Sequence, residues 1–276
     1  MKNPKIKLIL SDIDGTILND QHKIDSKLPQ TISKLHKNNI PFILASARSP
    51  YGVFPLRTEL GLRDAPIACY NGALILEGKH NSHKTIAEHA LLNDEALTII
   101  ETIQSEFPQV SISLYSGVNW IVENIDKWIE IESDITNDSP IIKDLKNYIV
   151  DNNPTIHKLL LIEKPNVIKQ VFDTLEALTL NNSSFYLSKD NYLEITSKGV
   201  SKEKALFDVA EYYDVSVSNT MSIGDNYNDI PMLTHAGLGI VMGNAPEEVK
   251  LKADVETYNN NNHGVSAAIS KYVLNE

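Results

Sequence analysis

Two aspartates one residue apart, Asp12 and Asp14, close an apolar run in the stretch SDIDGTILND. Two further acids, Asp225 and Asp229, stand with Asn228 in GDNYND, far along the chain. Carboxylates brought close together repel, and each resists losing its water. A shared cation relieves both costs. Oxygen donors alone, with no histidine or second cysteine at ligand spacing, favour a hard metal such as Mg2+. The other residues suited to chemistry are Ser46 and Arg48 in ASAR and Asn71 in YNGA. Taken singly, these signals are weak. An Asp-x-Asp pair also occurs in sugar-nucleotide transferases and in surface turns. It does not open an EF-hand loop here, because that loop needs glycine at its sixth position and Ile17 occupies it.

The elements that must carry these residues follow from the apolar patterning. IKLILSDID is nearly continuous and apolar, as expected of a central parallel strand covered on both faces. IPFILASAR, APIACYNGALIL (turning at Asn71-Gly72), TMSIGDN and LGIVMGNA have the same character, the last ending in Asn244. Between them, Leu28, Ile32 and Leu35 recur at helical spacing, and Ser201 can cap a helix bearing Leu206, Val209, Ala210 and Tyr213. A terminal helix holds Val265, Ala268 and Ile269, after the polar loop NNNNHG at 259–264. Strand and helix alternate, which predicts an α/β fold with a doubly wound, mostly parallel sheet. In such a sheet a ligand sits at the carboxyl ends of the strands, where the polar residues above fall.

The pattern changes near Glu77-Gly78-Lys79. QVSISLYSGVNWIVEN, TIHKLLLIE and SSFYLSKDNYLEIT read as strands with partial alternation. Two helices are expected among them. One starts near Asn93 with Leu97, Ile100, Ile103 and Phe107 on a face, and one follows Pro165 with Val167, Val171, Leu175 and Leu178. The expected organisation is a core domain of residues 1–80 and 192–276, interrupted by an α+β domain of residues 81–191.

The chain has 276 residues, 42% hydrophobic and 22% charged, with a formal net charge of -11. That charge argues against nucleic acid or an anionic membrane as partner. It leaves open a small anionic substrate, because a pocket can be locally positive. Cys69 is the sole cysteine, so no intrachain disulfide forms, which fits a reducing compartment. The apolar run after the first lysines is too short for a signal peptide, and no stretch approaches the ~18 apolar residues of a membrane span. A cytoplasmic protein is expected. The sequence leaves its oligomeric state open.

Taken together and in order, DIDGT, ASAR, YNGA, GVSKEKAL, GDNYNDIPML and MGNAPEEVK make the chain resemble the haloacid dehalogenase-like superfamily of phosphohydrolases, in its Cof-type branch with an inserted α/β cap of the larger, second-position (C2) type. The resemblance runs through nearly the whole chain. It implies a Rossmann-like core and an Mg2+-dependent phosphatase of small phosphate monoesters, such as sugar phosphates, nucleotide-like phosphates or cofactor phosphates. Asp12 matches the nucleophile that becomes an aspartyl-phosphate. Asp14 matches the general acid and base, with Thr16 expected to orient it. Ile13, Ser46, Ala47, Lys202 and Asn228 match the phosphate-binding set. Asp12, Asp14 and Asp225 match the metal set, with Asp229 in support. Arg48 and Asn71 are possible substrate contacts, and Lys158 or Lys189 could meet the anion from the insert. Two residues depart from the family pattern. Ala47 stands where glycine is usual, and Glu203 adds a negative charge beside Lys202. The alternatives are a phosphomutase using the same aspartyl-phosphate, and a phosphate-binding regulator that keeps the fold without catalysis.

Overall fold

The computed structural model describes residues 5–79 and 82–276. In chain order the strands are β1 (Leu8–Ser11), β2 (Phe42–Ala45), β3 (Ile67–Cys69), β4 (Leu74–Lys79), β5 (Ser82–Glu88), β6 (Ser111–Ser116), β7 (Asn119–Val122), β8 (Ile141–Ile142), β9 (Lys158–Ile162), β10 (Ser183–Lys189), β11 (Tyr192–Ser197), β12 (Thr220–Gly224), β13 (Leu238–Val241) and β14 (Val255–Glu256). They build two sheets, ordered β14-β13-β12-β1-β2-β3-β4-β5 and β10-β11-β9-β6-β7-β8. The chain divides into two compact units. One takes in the chain up to Arg48, Val53–Ala87 and Ser201–Glu276, and the other Ser49–Gly52 and Glu88–Val200.

In the first unit, β14, β13, β12, β1, β2 and β3 pair in parallel, and β4 returns antiparallel to β3. Both faces of β1 and β2 are buried, as their continuous apolar sequence requires. Leu8, Leu10, Ile43 and Ala45 pack against Ala205, Leu206, Val209 and Ala210 of the helix Lys202–Tyr212. Each such aliphatic side chain contributes about 1.5–3 kcal/mol on burial. The helix Pro50–Glu59 carries Gly52 and Pro55, which hid it from the periodicity.

In the second unit the strands pair antiparallel, except β7 with β8. One face offers Ile112, Leu114, Ile121, Leu159, Leu161, Leu193 and Ile195 to Ile99, Ile100, Ile103, Leu145, Ile149, Ile168, Val171 and Leu175. The helices Asn93–Glu106 and Pro165–Glu176 were expected, although Leu97, Phe107, Val167 and Leu178 are only partly buried against this core. Two more helices, Lys127–Thr136 and Leu145–Asn152, were not expected. Each starts at an aspartate cap, Asp126 or Asp144, and ends at a left-handed asparagine, Asn137 or Asn153. The first buries Ile129 but leaves Ile131 and Ile135 exposed, so no apolar stripe marks it.

The division falls after Ala87 and Val200, rather than after residues 80 and 191. β11 stays with the second unit because it pairs with both β9 and β10 there. Trp120 is buried and stacks on Tyr115, with ring centroids 6.0 Å apart. Trp128 donates its indole N–H to Glu163 at 2.8 Å. Lys158 is buried, 3.5 Å from Glu194 and over the Tyr115 ring, whereas Lys189 is exposed and stacks on Tyr192. None of the described helices is long and apolar enough to cross a membrane.

Candidate active site

β1 stops at Ser11, and the amide of Asp12 continues the ladder by donating to the Ile223 carbonyl of β12 at 2.9 Å. The chain then turns. The Ile13 side chain is fully buried, and its carbonyl accepts from the amides of Thr16, Ile17 and Leu18. Gly15 makes the turn possible. Its φ is +78°, and a Cβ there would lie 2.3 Å from an Asp225 carboxylate oxygen. The turn after Asp12 and the end of β12 are therefore packed face to face.

Asp225 follows β12 directly. The hydroxyl of Thr16 donates to its Oδ1 at 2.7 Å, so Thr16 orients Asp225 rather than Asp14. The amides of Asp225 and Asn226 both donate to Asp229 Oδ2, at 2.9 and 3.0 Å. Asn226 and Asp229 form a capping box around the short turn Tyr227–Asp229. This spacing pulls Asp229 inward, where it is fully buried.

Lys202 is the first residue of its helix and is capped by Ser201, whose hydroxyl accepts from the Lys204 amide. A lysine there opposes the positive end of the helix dipole. Two carboxylates outweigh that cost. Its ammonium donates to Asp12 Oδ1 at 2.5 Å and to Asp229 Oδ1 at 2.6 Å. Glu203 turns away to His235, 3.1 Å distant. The charge it adds is therefore engaged elsewhere.

The other expected residues line up nearby in the same unit. Ser46 is buried at the end of β2, and its hydroxyl accepts from the Arg48 amide at 3.3 Å. Ala47 is not among the residues of positive φ, so alanine fits where glycine is usual. Asn71 takes the left-handed conformation, φ 57°, and its amide donates to the Ser46 carbonyl at 2.8 Å. Its side-chain oxygen accepts from Asn228 at 3.2 Å. Arg48 makes a two-point pair with Asp14, from Nε at 2.8 Å and Nη2 at 2.5 Å. The Asp14 side chain is 50% exposed, so its carboxylate stands apart from the buried acids.

Asp12 and Asp229 are buried and Asp225 is partly buried, each offering an oxygen within 4.8 Å of the others. Asp229 was expected only in support, yet it bonds Lys202 and two backbone amides at once. Its two oxygens are thereby held by an ammonium and two amides, while Thr16 and Asn244 hold those of Asp225. Burial, more than the neighbouring acids, pushes the Asp12 carboxyl well above the usual range. Burial likewise pushes Asp225 to about 6, against the Thr16 hydrogen bond. Burial alone would depress Lys202, but Asp12 and Asp229 hold it above its ordinary value. Three acids thus face one ammonium, and the excess negative charge, presented by oxygen donors, fits a hard divalent cation. Asn244 had been noted only as a strand end. It too reaches Asp225, at 3.3 Å.

Residues 9–269 match the family described as haloacid dehalogenase-like hydrolase. A Haemophilus influenzae protein provisionally named a phosphatase is 30% identical over 96% of this chain and 97% of its own length. A Bacillus subtilis protein named 5-amino-6-(5-phospho-D-ribitylamino)uracil phosphatase is 28% identical over 98% of this chain and 96% of its own. The crystal structure of a haloacid dehalogenase-like hydrolase from Bacteroides thetaiotaomicron superposes with a TM-score of 0.85 at 29% identity, covering 97% of this chain and 99% of that one. With the buried Asp12–Lys202–Asp229 network in place, the match over nearly the whole length makes this chain a member of the haloacid dehalogenase-like hydrolases.

Proposed function

We propose that the chain hydrolyses small phosphate monoesters through an aspartyl-phosphate on Asp12. The observation that carries this reading is the buried Asp12 carboxylate, held by Lys202 on one side and set beside Asp225 on the other. A carboxylate attacks an anionic phosphate poorly, because the charges repel. Mg2+ held by Asp12 and Asp225 would supply the positive charge that lets the two anions meet and fixes their line of approach.

The chain's own groups do the rest. Lys202 places a fixed positive charge beside the nucleophile, with no reorganisation needed as charge develops. Asp12 attacks phosphorus, the ester oxygen leaves, and Asp14 gives that oxygen a proton. Asp14, now ionised, takes a proton from water. The resulting hydroxide displaces Asp12 from phosphorus and frees inorganic phosphate. Covalent catalysis splits one difficult displacement into two easier ones. The hydroxyl of Ser46, the amide of Ala47 and Asn228 are assigned to the phosphate oxygens. Arg48 and Asn71 are assigned to substrate. The Asp14 side chain is half exposed, so an arriving anion can reach the Arg48–Asp14 pair and draw Arg48 away from it.

The single cysteine, Cys69, supports a reading in which the reaction runs in a reducing, cytoplasmic compartment. The ribityl phosphate in the name of the Bacillus subtilis relative puts a phosphorylated polyol among the substrates to try. The test is phosphate release from a panel of sugar, polyol, nucleotide and cofactor phosphates, with Mg2+, with excess chelator, and with Asp12→Asn. Metal-dependent release that the variant loses supports the reading. Isomerised sugar phosphate without free phosphate would mean a mutase. No turnover of any ester, with phosphate still bound, would mean a regulator.

A further inference from the structure

We propose that Asn244 is a positioning residue that sets the Asp225 carboxylate against the nucleophile turn, and that the asparagine-rich loop 259–264 is its support. The proposal rests on the assignment of Asp225 to the metal. The carboxamide of Asn244 is used at both ends. Its Nδ2 donates to the Gly15 carbonyl at 2.9 Å and to Asp225 Oδ2 at 3.3 Å. Its Oδ1 accepts from the Asn260 amide at 2.9 Å. A carboxamide can both donate and accept in this way, whereas a carboxylate cannot. Thr16 holds Asp225 Oδ1 while Asn244 holds Oδ2, so the carboxylate is fixed from two directions.

The loop behind Asn244 is built to hold the chain that follows Asp12. Asn260 Nδ2 donates to the Leu18 carbonyl at 3.2 Å and to Asp20 Oδ1 at 3.0 Å. Asn261 Nδ2 donates to Asp20 Oδ2 at 2.9 Å, and its oxygen accepts from the Asp20 amide at 3.2 Å. His263 and Ser266 both bond the buried Asp25, the latter at 2.6 Å. Residues 17–25 close on themselves through the Leu18–Ile24 bridge and the Asp25 amide bonded to the Ile17 carbonyl. Gly243 lets the two loops approach, since a Cβ there would lie 3.0 Å from the Asn259 amide and the Thr257 carbonyl. The run NNNNHG thus fastens the segment after the nucleophile, and Asn244 extends that fastening to Asp225.

Asn244 is exposed, so its bonds add little to stability. A partner that orients a metal ligand acts instead on metal affinity, typically by about 10–100-fold. The two roles are separated by titrating the purified full chain with MgCl2 in the absence of substrate. Asn244→Ala and Asn244→Ser are each expected to weaken Mg2+ binding by about tenfold or more, with the thermal midpoint and the KM for the ester at saturating Mg2+ unchanged. Unchanged Mg2+ binding in these variants overturns the role of Asn244, and so does failure of both to fold. A wild-type chain that binds no Mg2+ overturns the metal assignment along with it. Asn260→Ala, read by hydrogen exchange, is expected to speed exchange across residues 15–25. Unchanged exchange there overturns the supporting role of the loop.

Discussion

Replacing Lys202 with methionine keeps the side chain's length and removes the ammonium that bonds Asp12 at 2.5 Å and Asp229 at 2.6 Å. At an effective dielectric of about 20, each contact is worth about 6 kcal/mol before desolvation. Burying the ammonium offsets much of that gain. Breaking a buried pair leaves about 3–5 kcal/mol of net loss, because the partner charges stay buried and unpaired. Asp12 already lies above the usual carboxylate range, from burial and then from Asp229 and Asp225, and the substitution raises it further. A carboxyl whose folded pKa is raised stabilises the fold fully below its unfolded value. That stability is lost as pH rises through the folded value. The loss caused by Lys202→Met therefore grows as pH rises above the ordinary carboxylate range. Both tryptophans lie in the other unit, so their fluorescence reports the wrong transition. Native-state hydrogen exchange at the amides of β1 and β12, without Mg2+, reads the right one. A loss below about 1 kcal/mol, the level of a surface pair, or one that shrinks as pH rises, would refute the reasoning.

Other consequences follow from the same geometry. Asp225 at about 6 is protonated below that pH, so Mg2+ must displace a proton there. Mg2+ affinity should fall by up to about tenfold per pH unit below about 6, and a flat titration would contradict this. Gly15→Ala puts a methyl 2.3 Å from Asp225 Oδ2 at φ +78°. It should cost about 1–2 kcal/mol from the left-handed backbone alone and depress kcat further by displacing Asp225, whereas full activity would rule out the close packing of the two loops. Arg48→Ala removes an exposed pair and should shift stability by less than about 1 kcal/mol while lowering kcat/KM. A stability loss without a kinetic effect would leave Arg48 a purely structural residue.

The strand ends were the most legible part of the chain. Continuous apolar runs that stop at polar residues located Asp12, Ser46 and Asp225, because a strand buried on both faces tolerates polar groups only where it ends. Lys202 was legible only through the resemblance of GVSKEKAL to the family's motif. The depth of Asp229 was not, because it depends on the Asn226 capping box and on a lysine 27 positions earlier in sequence. The partner of Thr16 was hidden for the same reason, since Asp225 lies 209 residues away. Asn260 and Asn261 read as one polar loop. Their function comes from a long-range meeting with Asp20 that no local pattern records. The helix Lys127–Thr136 escaped because its caps, rather than a stripe, define it. For Asp229 and Thr16, local chemistry showed that the residues could act, and tertiary pairing decided what they touch.

The most direct measurement is to mix the Mg2+-loaded enzyme with an ester radiolabelled in its phosphoryl group, quench in acid within a single turnover, and map the label. The mechanism predicts label on the peptide that contains Asp12, chased into inorganic phosphate on longer incubation and absent from Asp12→Asn. Phosphate released at full rate with no labelled protein at any time, or label elsewhere in the chain, would contradict nucleophilic attack by Asp12.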